Sequence, residues 1–468
     1  MNSKIKDFIN ECKTKLYDLS LDEAIVHAEQ IGLLLRDNEV GIYSLNDIES
    51  YFINNLLQIL SKCSKFENFD ISAGHNVLFI ATEVYHTGGH SRLMERLSTF
   101  LVSEADLLVT KFPSNSIIER EMKYFSNVHY GFNHDLTLID RVSYILEILL
   151  KYDVFILNTH PEDIFTIVVC GLAKKIKKSI KVYFVNHADH TFSYGCSIAD
   201  VWYEISAYGR EIDKKRELSA EKCFLGIPID ISSYKDDFNF KNGDLILTAA
   251  SRGKYKPFNG ESIMPLIDAL LRKYPDSTVQ VIGINLIRDY WWWGVKLKYW
   301  KRLKTSKKLP YEQYLNITKD ARLYIDSHPT PGGTAFAEQF LNGVLCCGLN
   351  SDYKGYSQAE ILKKDNIDEV LNFVDCIDLV ELDKIKSMID NQNSYDMVKH
   401  RFNQSLEGKY SDFDYGIVGN KISIRCEDEL KKIPLKLCVL RKSFFEVLNL
   451  TVLLNMFLMI FFKFINRR

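Results

Sequence analysis

Apolar residues recur at spacings of three and four through residues 3–66: Ile5, Phe8, Ile9, Cys12 and Leu16, then Ile48, Phe52, Leu56, Leu57 and Leu60. That spacing predicts helices, and nothing in the stretch alternates with the period of two that a half-buried strand requires. The segment carries no chemistry-bearing cluster, so residues 1–75 are expected to form an accessory helical region. At Asn76 the pattern changes. Val77-Leu-Phe-Ile-Ala is a short apolar run that ends in a polar loop, Thr82 to His90, followed by an amphipathic stretch over residues 91–102. Runs beginning at Leu107, Val154 and Val182 repeat the form, with helical stretches at 141–151 and 164–174 between them. A strand apolar at every position is buried on both faces, as in a parallel sheet. Strands alternating with helices therefore predict a doubly wound α/β domain over residues 76–235.

A second series follows the polar break at 232–242. Its expected strands begin at Leu245, Val279 and Leu323, separated by helices at 264–273, 311–319 and 334–342. The chain is thus expected to hold two Rossmann-like domains, 76–235 and 236–420, repeated in architecture but not in sequence. Residues 421–468 differ from both, with ten Lys/Arg against four Asp/Glu and an uncharged run from Val447 to Phe462. As a helix that run reaches roughly 24 Å at 1.5 Å per residue, short of a bilayer core of about 30 Å. Basic residues flank it on both sides, which predicts a shallow or monotopic membrane helix over a full span. The competing expectation is a terminal helix packed across both domains.

Composition narrows the classes. A chain of 468 residues suits two or three domains. Lys+Arg at 59 against Asp+Glu at 61 lacks the basic excess of a dedicated nucleic-acid binder. The ten cysteines include no CxxC pair, so neither a disulfide framework nor a zinc site is expected, and the usage suits a reducing cytoplasm. Met1-Asn-Ser-Lys-Ile-Lys-Asp carries charge where a secretory signal needs its apolar core.

In a doubly wound sheet, ligands bind at the carboxyl ends of the strands. Four loops there carry candidate chemistry. Gly88 and Gly89 precede a helix and let a backbone approach a phosphate, although the GxGxxG of a dehydrogenase is absent. His328-Pro-Thr-Pro-Gly-Gly-Thr-Ala-Phe-Ala-Glu338 opens another helix. Gly332, Gly333 and Thr334 can present N–H groups to an anion there, and Glu338, one turn on, can accept hydrogen bonds from ribose hydroxyls. Against this, Thr334 could be a plain N-cap and Glu338 a first-turn acid complementing the helix dipole. Arg252, Lys254 and Lys256 follow the first strand of the second domain and could neutralise a diphosphate. In the first domain His187, Asp189 and His190 follow a strand and could serve acid–base chemistry. His86, His90 and His160 are candidates for further walls of the same cleft. No set of residues has the spacing of a metal site. Finally, residues 288–308 hold four of the five tryptophans and eight Lys/Arg; such a segment can stack on bases, lie at a membrane interface, or bury its indoles.

With these loops in place, residues 76–420 resemble the bacterial nucleotide-sugar glycosyltransferases of the GT-B fold. The resemblance is carried by Asn76-Val-Leu-Phe-Ile with Gly88-Gly89, by Arg252, Lys254 and Lys256, and by Pro331-Gly-Gly-Thr-Ala-Phe-Ala-Glu-Gln-Phe-Leu-Asn-Gly343. It implies that Gly332, Gly333 and Thr334 bind the donor diphosphate, Glu338 the ribose, and Arg252 with Lys254 or Lys256 the phosphates. It implies transfer from a UDP- or GDP-sugar to a glycan or lipid-linked acceptor in surface polysaccharide synthesis. No cofactor beyond that donor and no nucleic-acid partner is expected. The enzyme is expected in the cytoplasm, at the inner face of the cell membrane. Two departures leave the stereochemistry open: Thr330 stands where many retaining members carry a first glutamate, and the cations lie two and four residues from Arg252 instead of five. If the reaction inverts, His187 or His190 would be the base; if it retains, they would position the substrates. A nucleotide-sugar epimerase and a non-catalytic nucleotide-sugar scaffold are the alternative readings.

Overall fold

The structure, a computed structural model, describes residues 2–62, 77–85, 89–111, 115–131, 136–229, 243–258, 260–411, 422 and 424–425. Seven strands form the first sheet: β1 (Val77–Ala81), β2 (Ala105–Val109), β3 (Val128–Tyr130), β4 (Val154–Asn158), β5 (Lys181–Asn186), β6 (Val201–Glu204) and β7 (Glu221–Phe224). They run in the order β3-β2-β1-β4-β5-β6-β7, and every pairing is parallel. The second sheet comprises β8 (Leu245–Ala249), β9 (Thr278–Ile282), β10 (Leu303–Ser306), β11 (Ala321–Ile325), β12 (Leu345–Leu349) and β13 (Lys363–Lys364). Its order is β10-β9-β8-β11-β12-β13, again all parallel. The two domains share one winding rule. In each, the strand order reverses beside the first strand, between β1 and β4 and between β8 and β11, and such a switch point opens a crevice at the strands' carboxyl ends.

The runs predicted as doubly buried strands are so: all five residues of β1 are buried, as are all of β4 and β5 after their first positions. The helices that cover them start where expected. Asp163 caps the helix Ile164–Ile176 by accepting from the Thr166 N–H, and its other oxygen takes the Thr82 hydroxyl at 2.5 Å. One residue thus starts a helix and ties the carboxyl end of β1 to that of β4.

The N-terminal helices Asn2–Leu16, Leu21–Arg36 and Asn46–Leu60 are not an accessory cap. Their apolar faces share one continuous core with helices 138–149 and 164–176 and with one face of the first sheet. Glu49 is buried there and accepts from the N–H groups of Gly195 (2.8 Å) and Ser197 (3.1 Å). Three helices without chemistry are therefore the outer layer of the first domain, and the reason is burial: their stripes are too apolar to face water.

The chain crosses back between domains through the helix Tyr395–Leu406, which lies within the stretch assigned to the second domain. Val398 and Phe402 are fully buried in the first domain's core beside Phe100 and Tyr203. Arg401 stands over the Phe224 ring and donates to the Leu225 carbonyl at 2.9 Å. The packing across both domains considered for residues 447–462 is done here by residues 395–406; the C-terminal run itself lies outside the described residues. Among the described residues, no helix is long and apolar enough to cross a membrane.

Truncating a fully buried phenylalanine costs about 3–5 kcal/mol. Phe402→Ala is therefore expected to lower the unfolding free energy by that amount and the midpoint of chemical denaturation with it, the first domain's signal moving most. An unchanged midpoint would mean that helix 395–406 does not hold the domains together.

Candidate active site

Where the two crevices face each other, a cavity of about 510 Å³ opens. The first domain contributes Gly89, Arg92 and Arg96 from helix Gly89–Ser98, with Ile227 and Pro228. The second domain contributes Ser251, Arg252 and Lys254 after β8, Gly283 after β9, Lys308 and Tyr314, and Gly332, Thr334, Ala335 and Glu338 after β11. Three of the four loops singled out in the sequence meet here.

The Pro-Gly-Gly loop is held from behind by Asp326. Its Oδ1 accepts the N–H groups of Ser327 and Gly332, each at 2.8 Å. Its Oδ2 pairs with Lys363 Nζ at 2.7 Å, and both side chains are buried. Gly332 therefore spends its own N–H inside the loop, and a Cβ there would meet Asp326 Oδ1 at 2.4 Å. Gly333 follows with φ of +61°, a left-handed conformation that glycine adopts without steric cost. It is the N-cap of the helix Thr334–Leu341, and no side chain caps that end. Thr334 is thus the first helical residue, not the cap. Helix geometry leaves the first N–H groups without intrahelical partners, and here they open on the cavity. Glu338, one turn in, lines the cavity and pairs across the cleft with Arg96 at 3.3 Å.

The cations after β8 divide. Arg252 grips the buried Asp289 through Nε (2.8 Å) and NH2 (2.7 Å) and lies over the Trp291 ring, with half its side chain exposed. Lys254 Nζ donates to the Pro331 carbonyl at 2.6 Å, tying this loop to the Pro-Gly-Gly loop. Burial lowers its pKa from the ordinary lysine value, while Asp326 and Asp189 act to raise it. Lys256 is exposed and does not line the cavity. The chain turns at Arg252–Tyr255 to bury Tyr255, and this carries Lys256 outward.

In the first domain, His90, His160 and His187 come together from the carboxyl ends of three adjacent strands. His90 stacks on His187 with ring centroids 5.1 Å apart and meets His160 edge-on at 5.9 Å. Tyr85 covers the group, 5.2 Å from His90. Burial pushes His90 down to about 4 and His187 well below the ordinary histidine value, with the neighbouring imidazoles adding to both. His187 Nδ1 is buried without a hydrogen-bond partner among the described residues. His190 leaves the cluster: its ring packs against Tyr353 at 5.1 Å and its Nδ1 lies 3.3 Å from Asp189. Asp189 is buried and committed, accepting from the Ser206 hydroxyl and, across the cleft, from Tyr356 OH at 3.2 Å. It couples domains and does not face open space. Gly88 and His86 lie outside the described residues. Gly89, at the start of helix 89–98, links the histidine cluster to the cavity, since His90 is the next residue.

Sequence reasoning missed Arg92, Arg96, Lys308, Tyr314, Asp326 and Lys363. Arg96 sits on a helix four residues from Arg92, a pairing that shows its face only once the helix is placed. Asp326 was in view as the last residue of an expected strand, and a carboxylate at a strand's carboxyl end just before paired glycines was the available signal. Among the described residues, no group of three or more His, Cys, Asp or Glu is placed to hold a metal ion.

No family model matches the chain, and no curated protein matches its sequence. Solved structures share its fold. HepE of Anabaena, solved with UDP and glucose, is 13% identical over 71% of this chain and 100% of its own, with a TM-score of 0.52. A glycosyltransferase of Rickettsia africae is 12% identical over 75% of this chain and 100% of its own, with a TM-score of 0.51. The O-GlcNAc transferase of Thermobaculum terrenum is 10% identical over 83% of this chain and 76% of its own, with a TM-score of 0.50. At such identities the likeness is one of fold: two Rossmann-like domains facing a cleft, the GT-B arrangement.

The histidine cluster has a consequence for acid stability. A base whose folded pKa is depressed holds its full contribution above its ordinary value of 6.5 and loses it as pH falls, because the unfolded chain then takes up a proton that the folded chain refuses. The window for His90 runs from 6.5 down to about 4. His90→Asn is expected to flatten the fall in melting temperature between pH 6.5 and pH 4.5 relative to wild type. Parallel curves for the two proteins would contradict the burial of this ring.

Proposed function

We propose that the chain is a glycosyltransferase that moves a sugar from a nucleoside diphosphate sugar to the hydroxyl of a glycan or lipid-linked acceptor. One observation carries the reading: the first residues of an uncapped helix, Thr334 and Ala335, the cations Arg252 and Lys254, and the carboxylate of Glu338 line one cavity at two facing switch points. Backbone N–H groups at a helix start bind phosphate oxygens, and the helix dipole adds to the attraction. Glu338 accepts from the ribose hydroxyls, and Arg252 and Lys254 supply countercharge to the diphosphate. HepE, of the same fold, binds UDP, which favours a uridine donor.

When the bond between the anomeric carbon and the phosphate oxygen breaks, negative charge builds on the departing diphosphate. Fixed donors aimed at that charge are the most effective stabilisers a site can hold. The sugar would then point towards the first domain, where His160 and His187 flank the acceptor. A group whose pKa lies far below the working pH is a weak proton acceptor, so the role proposed for His187 is to orient a hydroxyl.

Two measurements test this. In calorimetric titration with UDP and with GDP, Glu338→Ala and Gly333→Val are each expected to lose about 10- to 100-fold in affinity, the worth of a hydrogen bond to a charged group, while keeping the wild-type circular dichroism. Unchanged affinity in both folded variants would remove the donor assignment. With a panel of nucleotide-sugars and acceptors, wild type should turn over only when an acceptor is present; an isomerised sugar without acceptor would make it an epimerase, and binding without turnover a scaffold. His160→Ala and His187→Ala are expected to lose about 10²-fold in turnover through lost orientation, with nucleotide affinity unchanged. Near-normal turnover in both would make the cluster purely structural.

A further inference from the structure

Residues 287–300 leave the second domain with an apolar ridge that nothing in the described protein covers. Ile287 is 87% exposed, Tyr290 67%, Trp293 53%, Leu297 70% and Trp300 65%. Trp293 and Leu297 lie four apart on the short helix Trp293–Lys298, the spacing that puts two side chains on one helix face, with Tyr290 in the turn before it and Trp300 in the turn after it. The core's demand for indole here is already met by Trp292, which is fully buried against Tyr255.

We propose that this ridge is a membrane-contact face, by which the second domain rests on an anionic lipid bilayer. The surroundings match the headgroup layer of such a bilayer. Arg288, Lys301, Lys304 and Lys307 are exposed around the ridge, while Lys298 is paired with Asp268 of the neighbouring helix at 2.6 Å. The one acid within residues 287–308, Asp289, is buried under Arg252 and adds no exposed negative charge. Trp293 already donates its indole N–H to the Leu286 carbonyl at 2.7 Å, so the ring can enter an apolar layer without leaving a donor unpaired. Lysine stems can lie along the ridge with their ammonium groups at the headgroups; Lys296 is not one of these, since its Nζ donates to the Trp300 and Leu303 carbonyls at 2.8 and 2.6 Å and so holds the turn that presents Trp300. An RNA strand would also find indoles to stack on, but Ile287 and Leu297 within the ridge offer it neither stacking nor hydrogen bonds. An apolar face ringed by cations is the pattern of an interfacial segment. Arg252 and Lys308 belong to the cavity wall and Trp291 lies beneath Arg252, so a bilayer held here would stand beside the cavity mouth. The proposal does not depend on the glycosyltransfer reading, and its test uses no activity.

The test is tryptophan fluorescence of the full chain with vesicles whose acyl chains are brominated, made with or without phosphatidylglycerol. Emission is expected to fall with the anionic vesicles and to change at least about tenfold less, at equal lipid, with neutral phosphatidylcholine. Trp293→Phe with Trp300→Phe should still sediment with anionic vesicles but lose the quenching. Leu297→Asp with Trp300→Asp should lower sedimentation about tenfold or more. All of these residues are exposed, and unchanged circular dichroism checks that the variants fold. Co-sedimentation without quenching would place the lipid elsewhere on the chain and overturn the proposal. So would quenching by single-stranded RNA but not by vesicles, or a dimer that Leu297→Asp dissolves while vesicles leave the emission unchanged.

Discussion

The carboxylate of Asp326 sits at the end of β11 with almost no contact with water, and the cavity's geometry depends on how it is satisfied. One oxygen gathers the N–H groups of Ser327 and Gly332, and the other pairs with the buried Lys363. A buried charge left unpaired costs several kcal/mol, so this arrangement admits little alternative. Because Gly332 is pinned by its N–H, the next residue must turn sharply, and Gly333 does so at φ +61°. The helix that follows then starts without a side-chain cap, its N–H groups directed at the cavity. Lys254, bonded to the Pro331 carbonyl, fixes the neighbouring cationic loop to the same frame.

Around that frame the two domains are joined by specific polar contacts as well as by the crossing helix. Arg96 reaches Glu338, and Tyr356 reaches Asp189. The helix Ala207–Asp213 takes carbonyls of the second domain on its first N–H groups, Ala207 from Gly355 at 3.0 Å and Tyr208 from Lys354 at 3.2 Å. Gly355 permits this approach, since a Cβ there would lie 2.6 Å from that of Ala207. The cleft is thus held by groups on its rim that would otherwise be unsatisfied, which is how a site between domains keeps a defined width.

Much of this was legible in the sequence, and for a physical reason. Strands buried on both faces leave runs that are almost wholly apolar, so β1, β2, β4, β5, β8, β9 and β11 could be read directly, and the loops after them were the right places to look. Edge and short strands escaped: β3 is half-exposed throughout, β13 has two residues, and Glu221-Lys-Cys-Phe of β7 begins with two charged positions. The Pro-Gly-Gly loop was readable because its residue types tolerate few other uses. The division of labour among neighbouring side chains was not. Which of Arg252, Lys254 and Lys256 faces the cavity depends on a turn that buries Tyr255. That His90, and not His190, joins His160 and His187 depends on Asp189 being drawn to Ser206 and Tyr356. Adjacent positions in a loop are separated by tertiary contacts that spacing does not encode.

The account rests on one cavity being the seat of a nucleoside diphosphate. A crystal structure of the full chain soaked with UDP measures that directly. The account predicts diphosphate density at the N–H groups of Gly333 and Thr334, with the ribose against Glu338 and Arg252 and Lys254 beside the phosphates. A nucleotide bound outside the cleft, or in the cleft but with its phosphates away from the helix start at Thr334, would contradict it.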